Sequence, residues 1–372
     1  MDSRDGDIAH DHTVLVLQGG GALGAYQAGV YEGMAEYGCA PDWVAGVSIG
    51  AINGALIAGN PVERRLERSR DFWNRVSSGL PLNPLAELAP LRAGLNRLSG
   101  LAAATFGVPG FFSPRMPPAF LAPDATPEAL SIYDTSPLRR TLGELVDFDF
   151  LNRDRHVRLS VGSVNVHTGN SVYFDNRERE LGADHIMASG SLPPGFPPVM
   201  IEGEPYWDGG IVSNSPLWYV MDDSPTINAL IMQVDLFSAK GQLPANLDQV
   251  LERAKDIQYS SKTRFNTKRV QELENLRQAL TRLMKKLPPE LHDDPDYRLV
   301  QAELGQHKIT IAHLINRRYA HSTNSKDYEF SRTTVRQLWQ DGLEDVRRAV
   351  AHRDWLEATE VADGVRVFDL SR

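Results

Sequence analysis

The chain contains a single cysteine, Cys39, among its 372 residues. One cysteine excludes an intrachain disulfide and a thiolate metal cluster, and it gives no sign of an oxidising compartment. Basic residues are outnumbered by acidic ones, and the formal net charge of -9 leaves no electrostatic footprint for nucleic acid or for a strongly anionic surface. We therefore expect no nucleic-acid partner, and any membrane contact must be mainly apolar.

Long apolar runs are also missing. The chain nowhere has the roughly 18 uninterrupted apolar residues that a membrane-spanning helix requires. Its first residues, MDSRDGDIAHDH, are polar and lack the apolar core of a signal peptide. We therefore expect a cytoplasmic protein, with any membrane contact peripheral and at the inner face.

The sequence does contain two strand, turn and helix units near its start. The first apolar run, Thr13 to Leu17, is typical of a strand covered on both faces in a mostly parallel sheet. The glycine-rich segment from Gly19 to Gly24 follows it and begins a helical pattern. This segment also fits the G-x-G-x-x-G pattern of dinucleotide-binding folds, which requires an acidic residue at the end of the second strand. Asp42 precedes that strand instead, so this alternative is disfavoured.

The second unit contains a candidate nucleophile. Trp43 to Val47 has strand length, and it leads through Gly46-Val47-Ser48-Ile49-Gly50 into a helical pattern. A G-x-S-x-G sequence between a strand and a helix is typical of a nucleophile elbow, a tight turn that exposes the serine. Gly46 and Gly50 have no Cβ, so neighbouring backbone can pack closely against this turn.

Residues 79–137 differ in composition from what precedes them, and we interpret them as an insertion. Proline, glycine, leucine, alanine and phenylalanine dominate this segment. Its helically spaced leucines predict a short amphipathic cover, either a mobile lid or a helix packed flat on the domain. We expect the cover, residues 85–112, to meet lipid through apolar side chains. These are Leu88, Leu91, Leu95, Leu98, Phe106, Phe111 and Phe112.

The remaining patterns predict further strands and then long charged helices. The predicted strands are His156 to Val166 paired with Ser171 to Phe174, a short pair ending near Tyr206, and Ile227 to Phe237. A rigid proline-rich segment, residues 188–198, precedes Asp208-Gly209-Gly210. After residue 238 we expect a mainly helical extension, with one further strand at Lys308 to Ile315 and a final helix capped by Ser331. We therefore divide the chain into a catalytic domain, 12–238, and an extension, 239–372.

A serine nucleophile needs a base and hydrogen-bond donors for the oxyanion. The backbone N–H groups of Gly19, Gly20 and Gly21 are candidates for the donors, because glycine lets the chain turn its amides inward. The base is either a histidine or Asp208. The late histidines are His292, His307, His313, His321 and His352. Most lie in charged helical stretches and His313 lies in a strand, whereas Asp208 has Tyr206 and Trp207 beside it to limit solvent and raise its basicity.

Three motifs in this order, Gly-Gly-Gly-x-x-Gly, G-x-S-x-G and Asp-Gly-Gly, with the proline-rich segment before the last, resemble the patatin-like phospholipase family over about residues 12 to 238. The resemblance implies a three-layer α/β/α sandwich with a mostly parallel central sheet. It also implies a Ser48–Asp208 dyad in place of a triad, an oxyanion loop at Gly19, Gly20 and Gly21, and neither a metal nor a cofactor. The supporting motif glycines are Gly24, Gly46, Gly50, Gly209 and Gly210.

The function implied is that of a serine lipid acyl hydrolase, of phospholipase A or lysophospholipase type. The alternatives are an acyltransferase, a hydrolase of other acyl esters, and a catalytically silent membrane-associated scaffold. Many plant-type members carry an arginine where this chain has Leu23, so head-group contacts at this loop are not expected to carry over. The region after Phe237 resembles an extension of unknown role on some bacterial patatin-like proteins.

Overall fold

A computed structural model describes residues 11–78, 89–124, 126–223, 228–304, 308–317, 324–351 and 364–370. The strands are β1 (His12–Leu17), β2 (Trp43–Val47), β3 (Ser113–Pro114), β4 (Tyr133–Asp134), β5 (Arg158–Asn165), β6 (Ser171–Asp175), β7 (Val199–Ile201), β8 (Glu204–Asp208), β9 (Asn228–Asp235), β10 (Lys308–Ile315) and β11 (Gly364–Asp369). The helices are α1 (Ala25–Glu36), α2 (Ile49–Ala58), α3 (Val62–Val76), α4 (Ala89–Phe106), α5 (Ser136–Leu145), α6 (Phe148–Arg153), α7 (Ala183–Ser189), α8 (Leu217–Asp223), α9 (Leu247–Met284), α10 (Pro295–Glu303) and α11 (Arg332–Ala351).

The described residues form a central nine-stranded sheet and a separate two-stranded sheet of β3 and β4. The order of the central sheet is β11-β10-β9-β1-β2-β5-β8-β7, and β6 also pairs with β5. Strands from β11 to β5 run parallel to their neighbours, whereas β6, β7 and β8 pair antiparallel. The sheet is therefore mostly parallel, as the sequence predicts.

Helices cover both faces of this sheet, and the side-chain alternation of β1 shows how. Leu15 and Leu17 join a large apolar cluster with residues of α1, α2, α3 and α11. Val14 and Val16, which point to the opposite face, join a smaller cluster with residues of α8. Because successive side chains of a strand point to opposite faces, burial of both sets requires a layer on each side. The predicted three-layer α/β/α architecture is confirmed.

The region after residue 238 is helical, as predicted, and it also extends the central sheet. The predicted strand from Lys308 to Ile315 is β10, which lies parallel between β9 and β11. Helix α11 follows Ser331, whose hydroxyl caps it through the backbone N–H of Thr334 at 3.4 Å, and it packs along α1. The hydroxyl of Tyr26 donates to Asp345 at 2.7 Å across this contact. The division at residue 238 remains a prediction.

Two aromatic residues of the expected lipid cover lie in the core instead. Phe111 is 7% exposed and Phe112 is 2% exposed, and their rings pack against Phe196 at centroid distances of 6.0 and 5.2 Å. Their burial is explained by packing within the large apolar cluster, where Phe111 also contacts Phe72 and Phe330, and Phe112 contacts Tyr133. Leu98 and Phe106 are exposed on α4 and Leu95 is half-buried, whereas Leu88 and the side chain of Leu91 lie outside the described residues.

Candidate active site

Ser48 occupies the turn between β2 and α2. Its backbone angles, φ 58° and ψ -122°, belong to a conformation that non-glycine residues rarely adopt and that is common at functional sites. A Cβ on Gly46 would lie 2.3 Å from the carbonyl oxygen of Gly50, and a Cβ on Gly50 would lie 2.4 Å from that of Leu17. The turn therefore requires glycine at both positions, as the motif predicts.

Strand β5 brings Asp208 beside this turn. One edge of β5 pairs with β6, where Gly162 lies opposite Tyr173 and Ser163 opposite Val172. On the other edge Gly162 lies opposite Val47, the last residue of β2. The next residue, Ser163, lies opposite Asp208. Strand β5 has only two edges, and β6 occupies one of them. On the other edge β8 begins where β2 ends, and this places Asp208 next to Ser48.

Ser48 and Asp208 line the same cavity, and the Ser48 hydroxyl is near enough to the Asp208 carboxylate to lower its pKa. The Asp208 carboxylate also accepts the backbone N–H of Gly210 at 2.7 Å, and the residue is only 2% exposed. Burial disfavours the ionised carboxylate and raises the pKa of Asp208 to about 7, against the opposing effects of Ser48 and of the Gly210 N–H. A carboxylate with this pKa is a much stronger base than an exposed aspartate.

Two serines that sequence reasoning did not identify hold this pair in place. The backbone N–H of Ser48 donates to Ser189 Oγ at 3.0 Å, and the Ser189 hydroxyl donates to the carbonyl of Gly162 at 2.6 Å. The backbone N–H of Asp208 donates to the carbonyl of Ser191 at 3.0 Å. The available signal was the polar pair in Ala188-Ser189-Gly190-Ser191, directly before the prolines.

The glycine-rich loop lies against the same turn. The Gly19 N–H donates to the carbonyl of Asn214 at 3.2 Å, and the Asn214 side-chain amide donates back to the Gly19 carbonyl at 3.0 Å. The N–H groups of Gly20 and Gly21 have no acceptor among the residues that the structure describes. Gly21 has φ +56°, and a Cβ there would lie 2.2 Å from the carbonyl oxygen of Asp327. Gly20 and Gly21 are therefore the loop residues whose amides remain available to a ligand.

Ser48, Asp208 and the glycine loop line one cavity of about 70 Å³. Its other walls are mainly apolar and aromatic, from Ile52, Phe111, Phe112, Leu192, Phe196 and Phe237. The region after residue 238 contributes Tyr259, Asp327, Tyr328 and Phe330. No sequence pattern predicted that this region reaches the site.

No described histidine lines this cavity. Of the late histidines, His313 lies in β10 with Nε2 2.7 Å from Gln233 Oε1, and burial lowers its pKa to about 4. His292 is exposed and stacks on Tyr297. His307, His321 and His352 lie outside the described residues. Within the described parts of the chain, no group of three or more His, Cys, Asp or Glu side chains is placed to hold a metal ion.

Across the described ranges, no helix combines the length and apolar character needed to cross a bilayer. Residues 98–132, which include part of α4 and two short 3₁₀ turns after it, nevertheless hold several exposed apolar side chains. Among them are Met116 at 85%, Phe120 at 84% and Phe106 at 78%.

Three solved structures are similar to this chain at a low level. VipD from Legionella pneumophila shares 14% identity over 89% of this chain and 67% of its own, with a TM-score of 0.34. The complex of SpcU with ExoU from the type III secretion system of Pseudomonas aeruginosa matches at 19% identity, over 67% of this chain and 49% of that chain, with a TM-score of 0.29. The type III effector ExoU matches at 13%, over 90% of this chain and 53% of its own, with a TM-score of 0.28.

This chain thus spans about half the length of the two ExoU chains, and similarity at these TM-scores contributes nothing to the assignment. Comparison with curated proteins gives no match. The family models are decisive. Residues 257–361 match a model described as patatin phospholipase, and residues 15–221, more than half of the chain, match the model of the patatin-like phospholipases. The chain therefore belongs to the patatin-like phospholipase family, whose members hydrolyse lipid esters.

Proposed function

We propose that the protein is a serine lipid acyl hydrolase of phospholipase A or lysophospholipase type that uses a Ser48–Asp208 dyad. The observation that supports this most strongly is the placement of Ser48 beside a buried Asp208, in a cavity that no described histidine lines. Acyl transfer to serine requires a base close enough to the nucleophile to take its proton.

In the first half-reaction the ionised Asp208 carboxylate takes the hydroxyl proton of Ser48 as Oγ attacks the acyl carbonyl carbon. The carbonyl oxygen becomes an oxyanion, which we assign to the N–H groups of Gly20 and Gly21 and to the positive end of α2. Collapse of this intermediate breaks the ester C–O bond. The departing alcohol takes the proton from Asp208, and the acyl group remains on Ser48.

In the second half-reaction water replaces the alcohol. Asp208 accepts one proton from the water as its oxygen attacks the acyl-serine carbonyl carbon, and the same donors hold the new oxyanion. The bond to Ser48 Oγ then breaks, and Oγ recovers the proton from Asp208. The products are a free carboxylic acid and the unmodified enzyme, so that one base serves both steps.

Burial explains how an aspartate can act as the general base without a histidine. An aspartate near its ordinary pKa is a weak base at neutral pH, since the most effective general base has a pKa near the working pH. The apolar walls of the cavity raise the pKa of Asp208 to about 7. The hydrogen bond from Gly210 fixes the orientation of the carboxylate without removing it from reach of Ser48.

The substrate class follows from the family and from the cavity's apolar walls, and we infer a lipid acyl ester presented by an aggregated phase. Exposed Met116, Phe120 and Leu121 supply apolar surface for peripheral contact, because each such side chain contributes about 1.5–3 kcal/mol when fully buried. Location in the cytoplasm stays a prediction.

Lipid hydrolysis tests this proposal directly. Vesicles of phosphatidylcholine and micelles of lysophosphatidylcholine are incubated with wild type and with Ser48→Ala, and the products are identified by mass spectrometry. We expect fatty acid from the wild type, none from Ser48→Ala, and no change on adding EDTA. Equal release by both proteins, or no release from any acyl ester by the wild type, would contradict it.

A further inference from the structure

A second cavity shares two aromatic lining residues with the catalytic one. Its volume is about 360 Å³. Val76 at the end of α3, Ala102 and Phe106 of α4, Val108 of the following turn and Pro137 of α5 are among its lining residues. Of the described residues that line it, only Ser113 has a polar side chain. We call this cavity the acyl groove.

The acyl groove and the catalytic cavity share two lining residues, Phe112 and Phe330. Both rings are buried, at 2% and 4% exposure, and they stand between the two cavities. Each ring belongs to one aromatic cluster, because Phe111 lies 5.6 Å from Phe112 and 5.7 Å from Phe330 between ring centroids. The two cavities are therefore neighbours, and these two rings form part of the wall of each.

The catalytic cavity by itself is too small for a long acyl chain. It holds about 70 Å³, whereas pockets that bury drug-sized ligands have about 300–1,000 Å³. The acyl groove falls within that range at about 360 Å³. With no charged side chain among its described lining residues, the groove suits a hydrocarbon chain and does not suit a phosphate or a charged head group.

We propose that the acyl groove binds the hydrocarbon chain of the ester whose carbonyl is attacked by Ser48, and that Phe112 and Phe330 determine how long a chain is accepted. This inference rests on the proposed function. Phe330 comes from the region after residue 238, so that region supplies a specificity determinant for the catalytic domain. Burial of each additional methylene in such a groove raises kcat/KM by up to about fourfold.

The first test fills the groove. Ala102 is half-buried and lines it, whereas Ala104, two residues further along α4, is exposed and does not. The p-nitrophenyl esters of butyrate and dodecanoate are compared for wild type, Ala102→Trp and the matched control Ala104→Trp. We expect the dodecanoate-to-butyrate ratio of kcat/KM to fall at least tenfold in Ala102→Trp alone. An unchanged ratio in Ala102→Trp, or an equal fall in both variants, would overturn the inference.

The second test locates the chain and separates the inference from the proposed function. Wild type is treated with a long-chain alkyl fluorophosphonate that carries a diazirine at the end of its chain, and it is then irradiated and digested. We expect attachment of phosphorus to Ser48 and crosslinks within residues 102–113 or at Phe330. Labelled Ser48 with crosslinks only near Phe237 or Tyr259 would overturn the groove assignment alone. Absence of any label on Ser48 would overturn the proposed function, and the inference with it.

Discussion

The glycine loop and the region after residue 238 meet at Gly21 and Asp327, where a Cβ on Gly21 would lie 2.2 Å from the Asp327 carbonyl oxygen. Asp327 is held there by Lys255 of α9, whose Nζ lies 2.7 Å from its carboxylate. The two parts of the chain therefore share one tightly packed contact at the edge of the catalytic cavity.

Gly21→Ala is expected to reduce ester hydrolysis at least tenfold, because the new methyl group displaces either the loop or residue 327. Gly38→Ala is the matched control. Gly38 also has positive φ, at +71°, but nothing lies within 4 Å of a Cβ there. Both variants should lose about 1–2 kcal/mol of unfolding free energy from backbone strain, measured by denaturant titration. Full activity in Gly21→Ala would show that the contact does not position the loop.

Ser189 is expected to position the nucleophile without touching the reacting atoms. Ser189→Ala removes the acceptor of the Ser48 N–H and the donor to the Gly162 carbonyl, so kcat should fall with little change in KM. Loss of this buried hydrogen bonding should also cost about 1–3 kcal/mol of stability.

Ser191→Ala separates the effect of Ser189→Ala on kcat from its effect on stability. Ser191 is also buried, but its hydroxyl donates only to the Met187 carbonyl, at 2.7 Å, at the end of α7. We expect a comparable loss of stability in this variant with kcat largely retained. Equal kcat losses in Ser189→Ala and Ser191→Ala would assign Ser189 a purely structural role.

The raised pKa of Asp208 predicts a dependence of activity on pH. Only the ionised carboxylate accepts the Ser48 proton, so kcat/KM should fall about tenfold per pH unit below pH about 7 and level off above it. Asp235 is the control, since burial raises its pKa to about 7 as well and it does not line the catalytic cavity. The profile of Asp235→Asn should match the wild type. A profile flat from pH 5 to 8 in the wild type would contradict the assignment.

The same pKa shift predicts that stability, unlike activity, falls as pH rises. Folding raises the pKa of Asp208 from 3.8 to about 7, so the folded chain holds a proton that the unfolded chain loses across this range. The free energy of unfolding therefore falls as pH rises from about 4 to about 7 and changes no further above it. Asparagine cannot ionise, and the Tm of Asp208→Asn relative to wild type should be higher at pH 8 than at pH 5. An unchanged difference would place the folded pKa of Asp208 near 3.8.

Local patterns were sufficient to predict the centre of the fold. The runs at Trp43 to Val47 and Lys308 to Ile315 have the bounds of β2 and β10, because continuous apolar segments of this length are typical of buried parallel strands. The G-x-S-x-G sequence also predicted the turn at Ser48, since this pentapeptide between a strand and a helix is typical of a nucleophile elbow.

Contacts between distant segments were not predictable in this way. Strand β11, Gly364–Asp369, was missed, because its alternation of Val365, Arg366 and Val367 is short and its pairing is with β10, far away in sequence. The roles of Ser189 and Asn214 depend on hydrogen bonds to residues far away in sequence. Phe111 and Phe112 carry the same apolar signal whether they face lipid or the core, and only their packing against Phe196 distinguishes the two.

Peripheral lipid contact is expected at the exposed apolar residues that follow α4. The triple replacement of Met116, Phe120 and Leu121 by serine should weaken vesicle binding about tenfold or more and reduce phospholipid hydrolysis. Hydrolysis of a soluble butyrate ester should stay near the wild-type rate, since none of the three residues lines the catalytic cavity. Vesicle co-sedimentation measures the binding.

A second triple variant controls for loss of exposed apolar surface in general. Leu276, Leu283 and Leu299 are 55%, 54% and 63% exposed on α9 and α10, and their replacement by serine should leave vesicle binding unchanged. An equal loss of binding in both variants would show that the contact is not confined to the segment after α4.

The Ser48–Asp208 dyad is tested most directly by the rate at which an alkyl fluorophosphonate labels Ser48, followed by intact-protein mass spectrometry in wild type and in Asp208→Asn. Asparagine keeps the shape of the side chain but cannot take the hydroxyl proton, so we predict one adduct on Ser48 in the wild type. The labelling rate should fall about 100-fold or more in Asp208→Asn, with circular dichroism unchanged. Labelling of Asp208→Asn at the wild-type rate would contradict the dyad.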